Sequence, residues 1–298
     1  MEAQWSLVLF TVLSGAGAWL FASSMIQALA KKGALPGRVE TIVSAVLLAA
    51  GGLASMTHLK HIDRIFEALN HPTSGIFVEA AMIGVLIVLM VVYFALLVRG
   101  SGKGALRAVG AAGAIVGIVF AFACGYSYLM EARQAWMTVA LPLAYCATAG
   151  AAGAGLNLLL KAVGKGGDAA AGADAEAASA APAAEAADGE RAGAVSFAGL
   201  LAAVLAVVAL LCCAAFLIYA APWVAEAKDG FVIWAVVTFA AVLVAAGAGA
   251  WAWKKPEAAG AAAGGVAAAA GIVCAVALRV AMWLVGTSLM DLFLMPLD

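Results

Sequence analysis

Charged residues are scarce in this chain. Only 11% of its 298 residues are Asp, Glu, Lys or Arg, and 66% are hydrophobic, whereas soluble domains carry roughly 25% charged residues. So few charges cannot cover a surface that faces water, so the composition excludes a soluble globular protein. It predicts an integral membrane protein.

The chain contains long stretches without any charged residue. Because a segment inside a bilayer must satisfy its backbone hydrogen bonds internally, only helices or closed barrels span membranes, and the alternation of barrel strands is absent. We therefore predict an all-α integral membrane bundle of eight transmembrane helices. The prediction rests on eight runs without Asp, Glu, Lys or Arg, each of which approaches or exceeds the about 20 apolar residues that cross a hydrocarbon core, at residues 3–30, 41–59, 80–98, 108–130, 134–160, 192–225, 230–253 and 258–278.

Paired cysteines and a basic N-terminal region are also missing. The five cysteines all lie inside apolar runs and form no C-x-x-C pair, which excludes a disulfide framework and a cysteine-ligated cluster in this chain. We interpret them as small packing residues. The first ten residues, MEAQWSLVLF, lack the positive region of a cleaved signal peptide, so we expect the first helix to be retained.

The basic residues between the predicted helices are distributed unevenly. Cytoplasmic loops carry an excess of Lys and Arg, and placing both the N- and C-termini outside satisfies this rule. That orientation is predicted for a multi-pass protein of the bacterial cytoplasmic membrane. It leaves four basic residues on the outer connections, Lys60, Arg64, Arg133 and Lys228, and eleven on the inner ones, Lys31, Lys32, Arg38, Arg99, Lys103, Arg107, Lys161, Lys165, Arg191, Lys254 and Lys255.

One segment differs in composition from the rest of the chain. Residues 164–194 are rich in Ala, Gly, Asp and Glu and contain no large apolar residue, so they cannot bury enough surface to fold alone, although transient helix is compatible with them. We expect a flexible cytoplasmic linker there. It joins helices one to five, at residues 1–163, to helices six to eight, at residues 195–298, within one membrane domain.

Histidine is rare, and all three histidines fall in the stretch ASMTHLKHIDRIFEALNH at residues 54–71. A bis-histidine haem needs imidazoles on different helices, and a zinc site lacks a defined third ligand, so we expect neither haem nor metal in this chain. Apolar residues at helical spacing over 59–70 predict a short amphipathic helix in the outer interface. In HPTSG, at 71–75, the proline is expected to interrupt helical structure, and Thr or Ser is expected to cap the third helix. His61 and His71 are also compatible with solvated loop residues.

Two charged side chains fall inside the predicted helices. Glu79 lies about one turn inside the third helix, and Arg279, in CAVALRVAMWL, is ~18 Å along a helix from the next charge, Asp291. Charges inside a membrane are functional candidates by default; a structural ion pair or snorkelling is the other explanation for Arg279. His58 and Glu79 form a proton-accepting pair near an apolar surface, which suits quinol oxidation because that reaction releases two protons.

Several stretches together resemble the DmsC-type anchor subunit of dimethyl sulfoxide reductase. They are QWSLVLFTV at 4–12, ASMTHL at 54–59 followed by Arg64 and Glu79, and YSYLMEARQAWMTVALP at 126–142. The resemblance implies eight helices with both termini outside and a subunit that oxidises menaquinol without carrying haem, an iron–sulfur cluster or a metal. It also implies two protein partners, a four-cluster ferredoxin-like iron–sulfur subunit and a molybdopterin catalytic subunit, and no nucleic acid.

The resemblance also assigns roles to single residues. His58 and Glu79 match the quinol-site histidine and glutamate, Arg64 and Arg279 match family arginines, and Trp136 matches a tryptophan that opens helix five. Glu79 is expected to accept a proton, His58 to bind the quinol head and relay the proton, and Arg279 to orient or balance the site. The chain departs from the family pattern at five positions, Lys60, Ile62, Tyr126, Ala235 and Ala275.

Two other functions remain open from the sequence. A transporter or channel for a small polar solute would use Arg279 as its substrate or counter-ion residue, but the helices are unbroken and no internal repeat is evident. An assembly factor without a redox role is the other possibility. In the anchor interpretation the chain is a non-catalytic subunit of an oxidoreductase complex, and menaquinol oxidation is its own half-reaction.

Overall fold

A computed structural model describes residues 3–57, 74–164, 181–226 and 229–286. Within these ranges it contains eight α-helices and no strand, and each helix is long and apolar enough to cross a membrane. The predicted all-α bundle of eight spanning helices is confirmed, whereas the side on which the termini lie stays a prediction. The helices are α1 Trp5–Leu29, α2 Arg38–Met56, α3 Gly75–Val98, α4 Lys103–Tyr126, α5 Ala140–Ala162, α6 Ala181–Ala220, α7 Phe231–Lys254 and α8 Pro256–Val285.

Helix α5 lies at the centre of the bundle and contacts α1, α4, α6 and α8. Its contact with α8 is made by backbone against backbone, because a Cβ atom at Gly155 would lie 2.6 Å from Ala268 N and one at Gly264 would lie 2.5 Å from Leu159 Cα. Helices approach this closely only where small residues face each other. Glycine at these positions therefore allows the close contact between α5 and α8.

Neighbouring helices in the chain run in opposite directions, so the bundle has two ends. We call the end at which α1 begins and α8 finishes the Trp136 end, and the end at which α2 begins and α5 finishes the Lys161 end. The Trp136 end is the one predicted to face outward. The start of α3 at this end is capped by Ser74, whose side chain accepts a hydrogen bond from Phe77 N at 3.2 Å. The predicted Thr or Ser cap of the third helix is thus confirmed.

Three details differ from the sequence prediction or lie beyond the described part. Helix α6 begins at Ala181, inside the predicted linker, because Ala and Glu are strong helix formers; the linker assignment at 164–194 stays a prediction. Trp136 does not open α5 but lies in the short 3₁₀ helix Gln134–Trp136 before it. The predicted amphipathic helix at 59–70 lies outside the described residues.

Candidate functional site

Arg279 is the buried cation at the Trp136 end, on α8, and only 1% of its surface is exposed. Its Nε donates to Thr11 Oγ1 at 2.7 Å, and its Nη1 donates to Thr148 Oγ1 at 3.2 Å and to Ala275 O at 2.8 Å. The Tyr145 ring faces the guanidinium, with Cζ 4.2 Å from the ring centroid, which is a cation–π distance. Arg279 is therefore held by neutral oxygens and one aromatic ring.

The hydrogen-bonding capacity of Arg279 is not used completely. A guanidinium has five N–H groups, and the remaining bond, from Nη2 to Thr11 O, is long at 3.4 Å. In the part of the chain that the structure describes, four acceptor contacts face five donors, and no carboxylate lies within ion-pair distance of Arg279. A partly unsatisfied buried cation of this kind is suited to bind a ligand oxygen.

Four aromatic residues form a cluster beside Arg279, which we call the aromatic cluster: Tyr128, Trp136, Tyr145 and Trp283. The ring centroids of Trp136 and Trp283 are 5.2 Å apart. Tyr128 is at the centre, with centroid distances of 5.5 Å to Tyr145, 5.9 Å to Trp136 and 6.0 Å to Trp283. Most of these pairs meet edge to face, the arrangement that the ring quadrupoles favour.

The connection between α4 and α5 holds this cluster over the end of α8. Trp136 Nε1 donates to Met282 O at 2.9 Å. The Arg133 guanidinium donates to Gly286 O and lies 4.5 Å from the centroid of the Trp136 ring. A side chain at Gly286 would overlap the Trp136 ring, so this position must be glycine. The aromatic cluster is therefore anchored at both the loop and the helix end.

Glu79 lies on α3 at the same end of the bundle. It is half-buried, four residues after the first residue of α3, which places it about 6 Å along the helix from its start. The Ser127 side chain is close to the Glu79 carboxyl group, and its hydroxyl donates to Ala123 O at 3.0 Å. Ser127 follows the last residue of α4 and contacts the first turn of α3, because a Cβ atom at Gly75 would lie 3.0 Å from Ser127 Oγ.

The structure brings Glu79 and Arg279 to the same end of the bundle but does not pair them. Cys124, Tyr128 and Tyr145 are each close enough to interact electrostatically with both charged groups. These three side chains therefore lie near both the carboxylate and the guanidinium. The arrangement brings a proton acceptor, a cationic hydrogen-bond donor and aromatic surface to one end of the bundle.

The other predicted site residues fall outside the described part. His58 and Arg64, together with His61 and His71, lie in 58–73. Their assigned roles therefore stay predictions. Among the described residues, no group of three His, Cys, Asp or Glu is close enough to hold a metal ion.

A second polar group, at the Lys161 end, was missed in the sequence. Lys161 Nζ and Glu40 Oε1 are 2.6 Å apart, and 4% and 0% of their side chains are exposed. Glu40 Oε2 also accepts a hydrogen bond from Gly37 N at 2.9 Å. Sequence reasoning treated Lys161 only as a topology signal, because an acid and a base that flank different apolar runs give no indication that they meet.

Polar side chains from α1 and α5 extend this second group. Ser24 Oγ donates to Asn157 Oδ1 at 2.7 Å, and Asn157 Nδ2 donates to Gln27 Oε1 at 3.1 Å. Gln27 Nε2 in turn donates to the carbonyl oxygens of Lys32 and Ala194. Ser24, Gln27 and Asn157 were visible in the sequence as polar residues inside apolar runs, but their mutual pairing was not.

Comparison with known proteins gives one finding for this chain. A search of curated proteins found no match. A family model described as "DMSO reductase anchor subunit (DmsC)" matches residues 1–169, more than half of the chain. The matched part contains α1 to α5, and with them Glu79, Tyr128 and Trp136, while Arg279 lies beyond it. The chain belongs to the DmsC family, the membrane anchor subunits of dimethyl sulfoxide reductase complexes.

Proposed function

We propose that this anchor subunit oxidises menaquinol at the Trp136 end of the bundle. The electrons of menaquinol pass to an iron–sulfur subunit and from there to a molybdopterin catalytic subunit, in anaerobic respiration. Family membership supports an anchor that associates with the catalytic subunits of the complex. The observation that carries the menaquinol step is the half-buried carboxylate of Glu79 at the same end of the bundle as the aromatic cluster and buried Arg279.

Quinol oxidation removes two electrons and two protons, so that each ring hydroxyl becomes a carbonyl. A general base must lie within hydrogen-bonding reach of a hydroxyl to take its proton. Glu79 meets this need because it is about 6 Å from the start of α3, shielded enough to face an apolar ring and close enough to the helix end to release the proton to water. His58 would hydrogen-bond the quinol head and relay that proton outward, and Arg64 would be a further quinol-binding residue.

Arg279 contributes electrostatic stabilisation in this proposal. As a proton leaves the quinol, negative charge develops on the ring oxygen, and a positioned cation in a water-poor site stabilises that charge without reorganising. Three hydrogen bonds within 3.2 Å and the Tyr145 ring hold the guanidinium in place. The N–H group that has no acceptor among the described residues would donate to the oxygen.

The orientation of the subunit follows from its charge pattern. With both termini outside the bacterial cytoplasmic membrane, the Trp136 end faces outward, and quinol protons are released on that side. The iron–sulfur subunit would then dock at the outer face, where the electrons emerge.

The test is Glu79→Gln in the assembled complex. Glutamine keeps the shape and hydrogen bonding of the side chain but accepts no proton, so menaquinol-dependent turnover should fall at least 100-fold, the lower end of general base contributions. Activity with a reduced dye that feeds the partner subunits directly should persist. Glu131→Gln is the matched control, because Glu131 is an exposed carboxylate in the connection between α4 and α5, and it should retain wild-type turnover.

Wild-type menaquinol oxidation by Glu79→Gln would refute the proposed site. The transporter alternative makes a different prediction, namely solute uptake by the chain alone that is lost in Arg279→Gln without any partner subunit. An anchor subunit shows no such uptake.

A further inference from the structure

Tyr128 is the centre of the aromatic cluster, and only 8% of the residue is exposed. Its hydroxyl makes no hydrogen bond to another described residue. The neighbouring polar groups are paired, since Trp136 Nε1 donates to Met282 O and the Tyr145 hydroxyl donates to Met282 Sδ at 3.2 Å. The Tyr128 oxygen is not fully buried, so water or a ligand can reach it and complete its hydrogen bonds.

The position of Tyr128 relates this hydroxyl to the two charges of the site. Tyr128 interacts electrostatically with both Glu79 and Arg279, and its ring contacts Tyr145, which lies against the Arg279 guanidinium. Three aromatic neighbours restrict the ring, so the direction of the hydroxyl is set by packing. Tyr128 also follows Ser127, whose side chain lies against the first turn of α3, one turn before Glu79.

The protonation state of Tyr128 determines which hydrogen bonds its hydroxyl can make. Burial raises the pKa of the phenol well above its usual value, and the nearby Tyr145 and Glu79 raise it further. Tyr128 is therefore a neutral phenol at every physiological pH. Such a group donates one hydrogen bond to a carbonyl oxygen and accepts one from a hydroxyl. A quinone presents the first kind of oxygen and a quinol the second.

We propose that Tyr128 is a quinone-binding residue, whose hydroxyl donates to a ring carbonyl of the bound quinone and accepts from the matching hydroxyl of the quinol. The inference rests on the proposed function and adds a specific contact to it. No proton is transferred to or from Tyr128 in either state. Glu79 takes the proton, and Tyr128 fixes the ring that delivers it.

A purely structural role for Tyr128 leads to a different expectation. The three ring contacts involve the aromatic face and edge, and phenylalanine reproduces both. If Tyr128 only filled the cluster, Tyr128→Phe would bind quinone as the wild type does. If the hydroxyl binds the ligand, that substitution removes one hydrogen bond and leaves the packing intact.

The experiment measures inhibition by menadione, a quinone without a tail, of menadiol-dependent turnover in the assembled complex. Tyr128→Phe should raise the inhibition constant of menadione about tenfold, the effect of one hydrogen bond, and should raise the KM for menadiol similarly. The kcat should change by less than about threefold, because Glu79 is still present to accept the proton.

Tyr126→Phe is the matched control, since Tyr126 is two residues away and 62% exposed, and its ring is stacked on Phe122 and on no other described residue. It should leave the menadione constant unchanged. The constant does not depend on the amount of complex, so a lower yield of Tyr128→Phe leaves the comparison valid. If no complex forms, 3,5-difluorotyrosine at position 128 keeps the shape, strengthens the donor and should tighten menadione binding.

A wild-type menadione constant in Tyr128→Phe, or unchanged binding with the fluorinated residue, would overturn this inference. The outcome is separable from that of the proposed function. Loss of turnover in Glu79→Gln together with normal menadione binding in Tyr128→Phe would reject Tyr128 alone. Normal turnover in Glu79→Gln would reject the site as a whole.

Discussion

Two buried cations lie near opposite ends of this bundle, and their surroundings differ. Lys161 is 2.6 Å from the carboxylate of Glu40, and the nearby side chains of Gln27 and Asn157 are both hydrogen-bonded. Arg279 has no carboxylate within ion-pair distance among the described residues, and its acceptors are two threonines and a backbone carbonyl. The carboxylate of Glu40 neutralises the charge of Lys161, whereas no described carboxylate neutralises the charge of Arg279.

The difference separates two reasons for keeping a charge inside a membrane. A cation that meets a buried anion at hydrogen-bond distance is a structural link, here between α2 and α5. A cation balanced only by dipoles keeps a positive field at its position, which serves an anion that forms during a reaction. The free-energy cost of burying a cation is similar for Lys161 and Arg279, so only their neighbouring residues distinguish the two roles.

The largest expected effect tests the structural half of this comparison. Lys161→Met leaves the Glu40 carboxylate buried opposite an apolar side chain, so the complex should lose about 3–5 kcal/mol of stability. Thermal unfolding of the complex in detergent would measure it. The double variant Glu40→Gln with Lys161→Met removes both charges and should recover most of the loss. If the single variant were as stable as the wild type, the pair would not be a structural link.

The next effect tests the functional half. Arg279→Met removes a buried cation without leaving an unpaired carboxylate, so unfolding should be little changed, while menaquinol-dependent turnover should fall by about 10- to 100-fold through lost electrostatic stabilisation. Dye-dependent activity should persist. A stability loss as large as that of Lys161→Met would contradict the distinction between the two cations.

The smallest expected effect tests whether Thr148 helps to hold the Arg279 guanidinium in place. Thr148→Val keeps the shape of the side chain but removes one acceptor of the guanidinium, and should cost about 1–2 kcal/mol of stability because the bond is to a charged group. Thr238→Val is the control, since Thr238 is also buried and, like Thr148, donates to the carbonyl four residues before it, but makes no hydrogen bond to a charged group among the described residues. Equal costs in thermal unfolding would show that Thr148 contributes nothing to Arg279.

Much of the candidate site was predictable from isolated signals in the chain. Glu79 and Arg279 were visible because charges inside apolar runs are rare, and the resemblance pointed to Trp136. Tyr128 was not identified, because a tyrosine near the end of a predicted helix is ordinary and its unpaired hydroxyl becomes visible only in three dimensions. The Glu40–Lys161 pair was missed for the same reason, since its members are 121 residues apart.

The sequence alone determined the class of this protein and its eight helices, because crossing a membrane demands about 20 apolar residues per helix and that demand acts on each segment separately. It also determined the start of α3 through Ser74 and the close helix contacts through glycine, which are local requirements. Only the tertiary structure decided which buried charges meet. Pairing depends on where the face of one helix lies against another, and no single segment carries that information.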